Sequence, residues 1–168
     1  MTRKYATYAE LHKAGPYFKG RWVYYNTVIK WLAAQPEGLK VLELGPHGHP
    51  VVHGCDTMDV VKGYGSVAVH HDARKIPWPV ESSSYDVFIA LQVWEHLGTK
   101  QPDAFREVMR ISKKAALSFP YKWEQGHVSH NGITDEIIAG WTLGVKPTNI
   151  ILCHTHPWRR AVYFFDFS

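Results

Sequence analysis

"VLELGPHGHP", residues 41–50, is the stretch from which the rest of the chain is read. Val41, Leu42 and Leu44 make a short apolar run that stops at Gly45, the pattern of a buried strand entering a turn. Such a turn lets backbone approach a nucleotide-like ligand, because glycine leaves open the space a side chain would fill. Pro46, His47 and His49 stand where a glycine-rich finger carries small residues. Three readings follow: a cofactor loop, a metal-binding loop or a plain turn.

Outward from this point the chain alternates between helical and extended patterns. Phe18, Trp22, Tyr25, Ile29 and Leu32 recur at helical spacing and predict a helix over 17–34, stopped by "QPEG" at 35–38. Strands are expected at 40–45, 57–60, 66–71 and 84–92, the last being "SYDVFIALQ", the longest apolar run. A helix over 99–114 buries Phe105, Val108 and Met109, and a strand follows at 115–120. Thr134 caps a further helix that buries Ile137, Ile138 and Trp141, with Asp135 and Glu136 in its first turn. The chain closes with strands at 149–156 and 159–167, joined by Pro157-Trp158.

This order predicts an α/β fold with a mostly parallel sheet and an antiparallel last strand. One domain is expected over 1–168, with a helical segment at 1–36 and the sheet core at 37–168. Only 14 positions separate Gly45 from Asp59, and 13 separate Asp59 from Asp72. A parallel crossover needs about a dozen residues or more, usually helical, so the first half of the sheet reads as shortened. Ligands in open α/β sheets bind beyond the carboxyl ends of the strands, here Gly45, Asp59, Asp72 and "QVWEHL" at 92–97.

Composition narrows the function. The 168 residues are 45% hydrophobic and 14% aromatic, which describes a globular chain with large core formers. The net charge of +4 is spread over short runs such as Lys113-Lys114 and Arg159-Arg160, so no nucleic-acid interface is expected. Cys55 and Cys153 are too far apart in sequence for a CxxC site and read as buried fillers in a reducing compartment. No apolar run is long enough for a membrane span, and the expected location is the cytoplasm. The expected partner is a small molecule, with the oligomeric state left open.

These residues resemble the class I S-adenosylmethionine-dependent methyltransferases, as a small, cap-less member with a degenerate first motif. "VLELG" is similar to the family's first motif, with Glu43 and Gly45 in the matching places. Asp59 matches the acidic residue that holds the ribose hydroxyls. "HDARKIPWP" resembles the segment whose aspartate, here Asp72, meets the adenine amine, with Ala73 beside it. "SYDVFIALQVWEHL" is close to the fourth motif, a strand followed by Glu95-His96. "AVYFFDF" matches the last strand.

The resemblance implies S-adenosylmethionine as cofactor, held by Glu43, Gly45, Gly48, Asp59, Asp72, Ala73 and Gln92. The chemistry agrees: a carboxylate accepts two bonds from a vicinal diol, and a sulfonium methyl needs mainly in-line alignment. His96 is the expected catalytic base, an imidazole accepting a proton near neutral pH. Tyr121, Trp123, His127 and His130, in the loop 119–132, are the expected substrate wall. The acceptor is expected to be small and polar, a sugar or a secondary metabolite.

Eleven histidines are the other feature of the chain. His47, His49, His53, His70-His71 and the strand pair His154 and His156 are read as rim and surface groups rather than metal ligands. Trp94 is read as a core residue. Two alternatives accompany the methyltransferase reading: a non-catalytic binding protein of the same fold, and a histidine-rich metalloprotein.

Overall fold

The computed structural model describes residues 4–62, 67–154 and 158–168. Among these residues seven strands form one sheet in the order β3-β2-β1-β4-β5-β7-β6: β1 (Val41–Leu44), β2 (Asp56–Asp59), β3 (Val69–His70), β4 (Tyr85–Leu91), β5 (Ser112–Pro120), β6 (Asn149–His154) and β7 (Arg159–Asp166). β1 to β5 are parallel, whereas β7 runs antiparallel between β5 and β6. The expected α/β architecture is the one observed, with two antiparallel contacts at the far edge.

β1 and β4 occupy the middle because their side chains suit burial on both faces. All four β1 residues are buried, as are six of the seven in β4. Strands covered on both sides read as near-continuous apolar runs. On one face α4 (Gln101–Ile111) and α5 (Asp135–Trp141) pack through Phe105, Val108, Ile111 and Ile138 onto Leu42, Phe88, Leu117 and Phe165. The other face carries α3 (Trp22–Ala33), whose Tyr25, Val28 and Leu32 meet Val41, Val87, Ile89 and Phe164.

The N-terminal segment differs from the expected unbroken helix over 17–34. It contains α1 (Tyr8–Ala14), α2 (Pro16–Lys19) and α3, with Gly20 and Arg21 between the last two. α1 begins at a capping box in which Thr7 and Glu10 satisfy each other's backbone N–H. The first half of the sheet is shortened as expected, since β1 reaches β2, and β2 reaches β3, with no helix among the described residues. α1 and the strand-like residues before it cover that space: Ala6 N donates to Val51 O at 2.9 Å, and His53 N to Lys4 O at 2.9 Å. Leu11, Val51 and Val52 thereby join the core.

Several boundaries also shift. α4 ends at Ile111, three residues early, because β5 begins at Ser112. Ile137 is exposed on α5 while Ile138 is buried, so that helix presents a narrower apolar face than its sequence suggests. Trp94 is buried as expected. Cys153 is buried and Cys55 half-buried, both as free thiols. The connection at Pro157, the side chains of the His154 and His156 pair, and part of the strand expected at 66–71 lie outside the described residues. No helix among the described residues is long and apolar enough to cross a membrane.

Candidate functional site

The site forms where β1, β2 and β4 end. Gly45 closes β1 with φ of 63° and donates its N–H to Met58 O at 2.9 Å, tying the turn to β2. Beside it lies a cleft of about 270 Å³ lined by Leu44, Gly45, Asp59, His71, Asp72, Ala73, Val93 and His96. Asp59 is 6% exposed, and its Oδ1 accepts the Val61 N–H at 3.0 Å, which fixes the carboxylate at the strand end. Asp72 holds Arg74 through both oxygens, and those hydrogen bonds bring its carboxyl down to about 2. Ala73 is buried, and its carbonyl accepts from the Trp78 indole at 3.0 Å.

Three residues expected at the cofactor stand outside this cleft: Glu43, Gly48 and Gln92, the last in the wall of a second cleft. Glu43 is 1% exposed, and its Oε2 accepts the Val51 N–H at 2.7 Å, so the side chain anchors the loop from beneath. Burial pushes its carboxyl up to about 8, against the opposing pull of Val51 N–H and Arg21. Gly48 has φ of 78° but lines a separate hollow of about 600 Å³ between the loop and α1, with His49, His53, Glu10 and Lys13. His49 packs on Phe18 with ring centroids 4.1 Å apart, which draws the loop toward α2.

A second cleft of about 330 Å³ begins at the end of β4. There Gln92 turns the chain with φ of 57°, its N–H held by Ser118 Oγ at 3.0 Å. A non-glycine residue in this conformation is uncommon, and such strain concentrates at functional sites. Gln92 also accepts from Arg160 Nε at 3.2 Å through its side-chain oxygen. The turn leads into a 3₁₀ segment, Trp94–His96, that buries Trp94 and Glu95 and presents His96. His96 lines both clefts.

The walls of the second cleft are Tyr17, Arg21, Tyr24, Trp123, Trp158 and Arg160, with His130 and Glu95. Arg21 is 5% exposed; its Nε donates to Tyr24 Oη at 2.8 Å and its Nη2 to Leu91 O at 3.3 Å. Its Nη1 is buried without a hydrogen-bond partner among the described residues. Trp123 donates its indole N–H to Arg159 O, stands 4.7 Å from the Trp158 ring and lies 5.2 Å from the Arg160 guanidinium carbon.

His96 and His130 meet with Nε2 atoms 3.4 Å apart, and His130 Nε2 lies 3.9 Å from Glu95 Oε1. Burial lowers the pKa of both imidazoles, assisted by the other histidines nearby. Burial raises the Glu95 carboxyl to about 8, while Arg160 and Arg21 draw it down. Tyr121 and His127 line neither cleft. The Tyr121 hydroxyl donates to Asp135 Oδ2 at 2.7 Å, and His127 is exposed, with its Nδ1 on Ser129 Oγ at 2.8 Å.

Trp123 and His130, both expected in the acceptor wall, stand in the second cleft, whereas Arg21, Arg160 and Trp158 were not anticipated from sequence. Arg21 carried a legible signal, because it stands four residues before Tyr25 and seven before Val28, in phase with the buried stripe of α3. The other two come from β7 and the residue before it, and only the sheet order brings them to the cleft.

A twisted sheet with clefts beyond its first, second and fourth strand ends defines the class of α/β proteins that hold a nucleoside-bearing cofactor across those ends. The methyltransferase-domain family model matches residues 29–118, more than half of the chain. The chain belongs to this family, the class I S-adenosylmethionine-dependent methyltransferases, whose cofactor is S-adenosylmethionine. No curated protein matches the chain. Among solved structures it is similar to a SAM-dependent methyltransferase from Aquifex aeolicus, at 16% identity and TM-score 0.64, over 95% of this chain and 98% of that one. It is also similar to magnesium protoporphyrin IX methyltransferase from Synechocystis PCC 6803 with bound SAM, at 14% identity and TM-score 0.59, over 90% and 81%. The [4+2]-cyclase SpnF shares the fold at 11% identity and TM-score 0.64, over 84% and 78%.

Proposed function

We propose that the protein transfers the methyl group of S-adenosylmethionine to a small polar acceptor held in the second cleft. The adenosine half of the cofactor occupies the first cleft, with Asp59 accepting from the ribose hydroxyls and Asp72 and Ala73 beside the adenine. Gly45 gives the cofactor room at the end of β1, and Gln92 shapes its methionine end. Arg21 supplies a buried cation whose Nη1 has no partner among the described residues, which suits the methionine carboxylate. Glu43 and Gly48 act on the loop that carries Gly45.

One observation carries this reading: His96 is a wall of both clefts, so a group leaving the first passes it on entering the second. His96 therefore meets the acceptor hydroxyl or amine and activates it, with His130 at its side. Tryptophan faces and tyrosine rings suit a sugar or another flat-faced metabolite.

The test is transfer of labelled methyl from S-adenosylmethionine to a panel of sugar and phenolic acceptors. His96→Ala should lower turnover at least about ten-fold while S-adenosylhomocysteine affinity stays within about two-fold, the signature of a group acting on the reaction rather than on cofactor binding. Unchanged turnover on an acceptor that the wild type methylates would remove His96 from the mechanism.

A further inference from the structure

Glu95, His96 and His130 form a cluster at the boundary of the two clefts. One ligand atom from each lies within 4.8 Å of the other two. In a four-coordinate zinc-type site with bonds of about 2.1 Å, neighbouring ligand atoms stand roughly 3.4 Å apart. The two imidazole nitrogens already have that separation, 3.4 Å, and the Glu95–His130 pair at 3.9 Å needs a shift of half an ångström. A second, independent observation points the same way. Glu95 is 5% exposed and lines the second cleft, and its buried Oε2 has no hydrogen-bond partner among the described residues. A buried carboxylate oxygen left unpaired is costly, and a bound cation removes that cost.

We infer that Glu95, His96 and His130 bind one divalent transition-metal cation at the wall between the two clefts. The sequence led to the opposite expectation, because His96 and His130 are 34 positions apart and only the fold joins them. The ligand set selects the type of cation. Two imidazoles and one carboxylate suit zinc, cobalt or iron(II) better than magnesium or calcium, which take oxygen ligands. Arg21 and Arg160 line the same cleft, so strong bonds to imidazole rather than a negative field must hold the ion. Three protein ligands leave a coordination position open, as in catalytic zinc sites.

The site rests on the methyl-transfer reading and gives His96 a specific part in it. An acceptor hydroxyl bound at the open position loses its proton to solvent more readily than a free one. Its oxygen then bonds to the methyl carbon as the carbon–sulfur bond breaks, releasing S-adenosylhomocysteine.

The experiment uses the full chain stripped of metal with a chelator. Co²⁺ is titrated in while visible absorption and heat are recorded, and S-adenosylhomocysteine is titrated separately into the same samples. The wild type should take up one Co²⁺ with visible ligand-field bands. His130→Ala and Glu95→Gln should each weaken that uptake at least about ten-fold, and His96→Ala/His130→Ala should abolish the bands. Circular dichroism on each variant identifies any that fail to fold, and the partly exposed His130→Ala keeps the question open if Glu95→Gln does not fold. Bands of equal strength in the wild type and the double variant, or no uptake by the wild type, overturn the site. Either result with normal S-adenosylhomocysteine binding leaves the cofactor reading standing. Cluster-dependent uptake without S-adenosylhomocysteine binding supports the site while removing the cofactor reading.

Discussion

Gly45 and Val93 stand so close that a Cβ on Gly45 would lie 3.0 Å from Val93 Cγ2. The end of β1 and the turn after β4 are thus packed against each other with no room for a side chain, at the wall of the first cleft. Gly45→Val adds bulk there and forces a β-branched residue into φ of 63°, which costs roughly 1–2 kcal/mol of backbone strain. The variant should remain folded with a lowered Tm and lose detectable S-adenosylhomocysteine binding. Wild-type affinity measured by calorimetry in this variant would place the cofactor elsewhere.

Asp59 fixes one oxygen on the Val61 N–H at the lip of the same cleft. Asp59→Asn can keep that acceptor while replacing the other oxygen with a donor, so it separates cofactor binding from the turn. Removing a charged partner of the ribose hydroxyls should cost about 1.5–3 kcal/mol, or roughly ten- to hundred-fold in affinity. The thermal midpoint should stay near the wild type. A change in midpoint without a change in affinity would make Asp59 a turn residue only.

Arg21 is predicted to hold the methionine carboxylate, and a truncated ligand isolates that contact. Arg21→Lys should weaken S-adenosylhomocysteine at least about ten-fold, because lysine lacks the planar fork. Adenosine, which has no carboxylate, should bind both proteins within about two-fold. Equal losses for the two ligands in parallel titrations would assign Arg21 to the fold alone, through its bonds to Tyr24 and Leu91.

The strand ends were legible because apolar runs stop there at glycine or acid: Gly45, Asp59 and the turn before Glu95 are all read from punctuation. α1 carried a readable signal in Thr7 and Glu10, a capping box on an otherwise unpatterned segment. The expected stripe Phe18, Trp22, Tyr25, Ile29 and Leu32 lies one residue out of phase and shares only Tyr25 and Leu32 with the buried set. The correct phase puts Arg21 inside, and a charge on a buried face marks a site. Tyr121 illustrates the opposite limit. Its position after β5 suited an acceptor wall, but its partner Asp135 comes from a helix whose placement no local pattern reveals. The Glu95, His96 and His130 cluster was hidden for the same reason.

Glu43 makes the stability of the fold depend on pH. Its carboxyl is raised to about 8 by burial, against an ordinary value of 4.5, with Arg21 opposing the shift and Tyr25 and Cys55 facing it. Between about pH 4.5 and pH 8 the folded chain therefore keeps a proton that the unfolded chain releases. Stability from this group is full below that window and falls as pH rises, by up to about 1.4 kcal/mol per pH unit. Glu43→Gln retains an acceptor for the Val51 N–H and loses the titration. Denaturant unfolding at pH 5 and pH 8 should show a larger loss for the wild type than for the variant, and equal losses would contradict the buried, protonated carboxyl.

The central claim is that the two clefts flanking His96 hold S-adenosylmethionine and its acceptor. Calorimetric titration of the wild-type chain with S-adenosylhomocysteine tests it most directly. One site per chain is expected, with affinity on the order of micromolar, about −8 kcal/mol. No detectable binding by a folded wild-type chain at ligand concentrations on the order of a millimolar, where about −4 kcal/mol would still register, would contradict it.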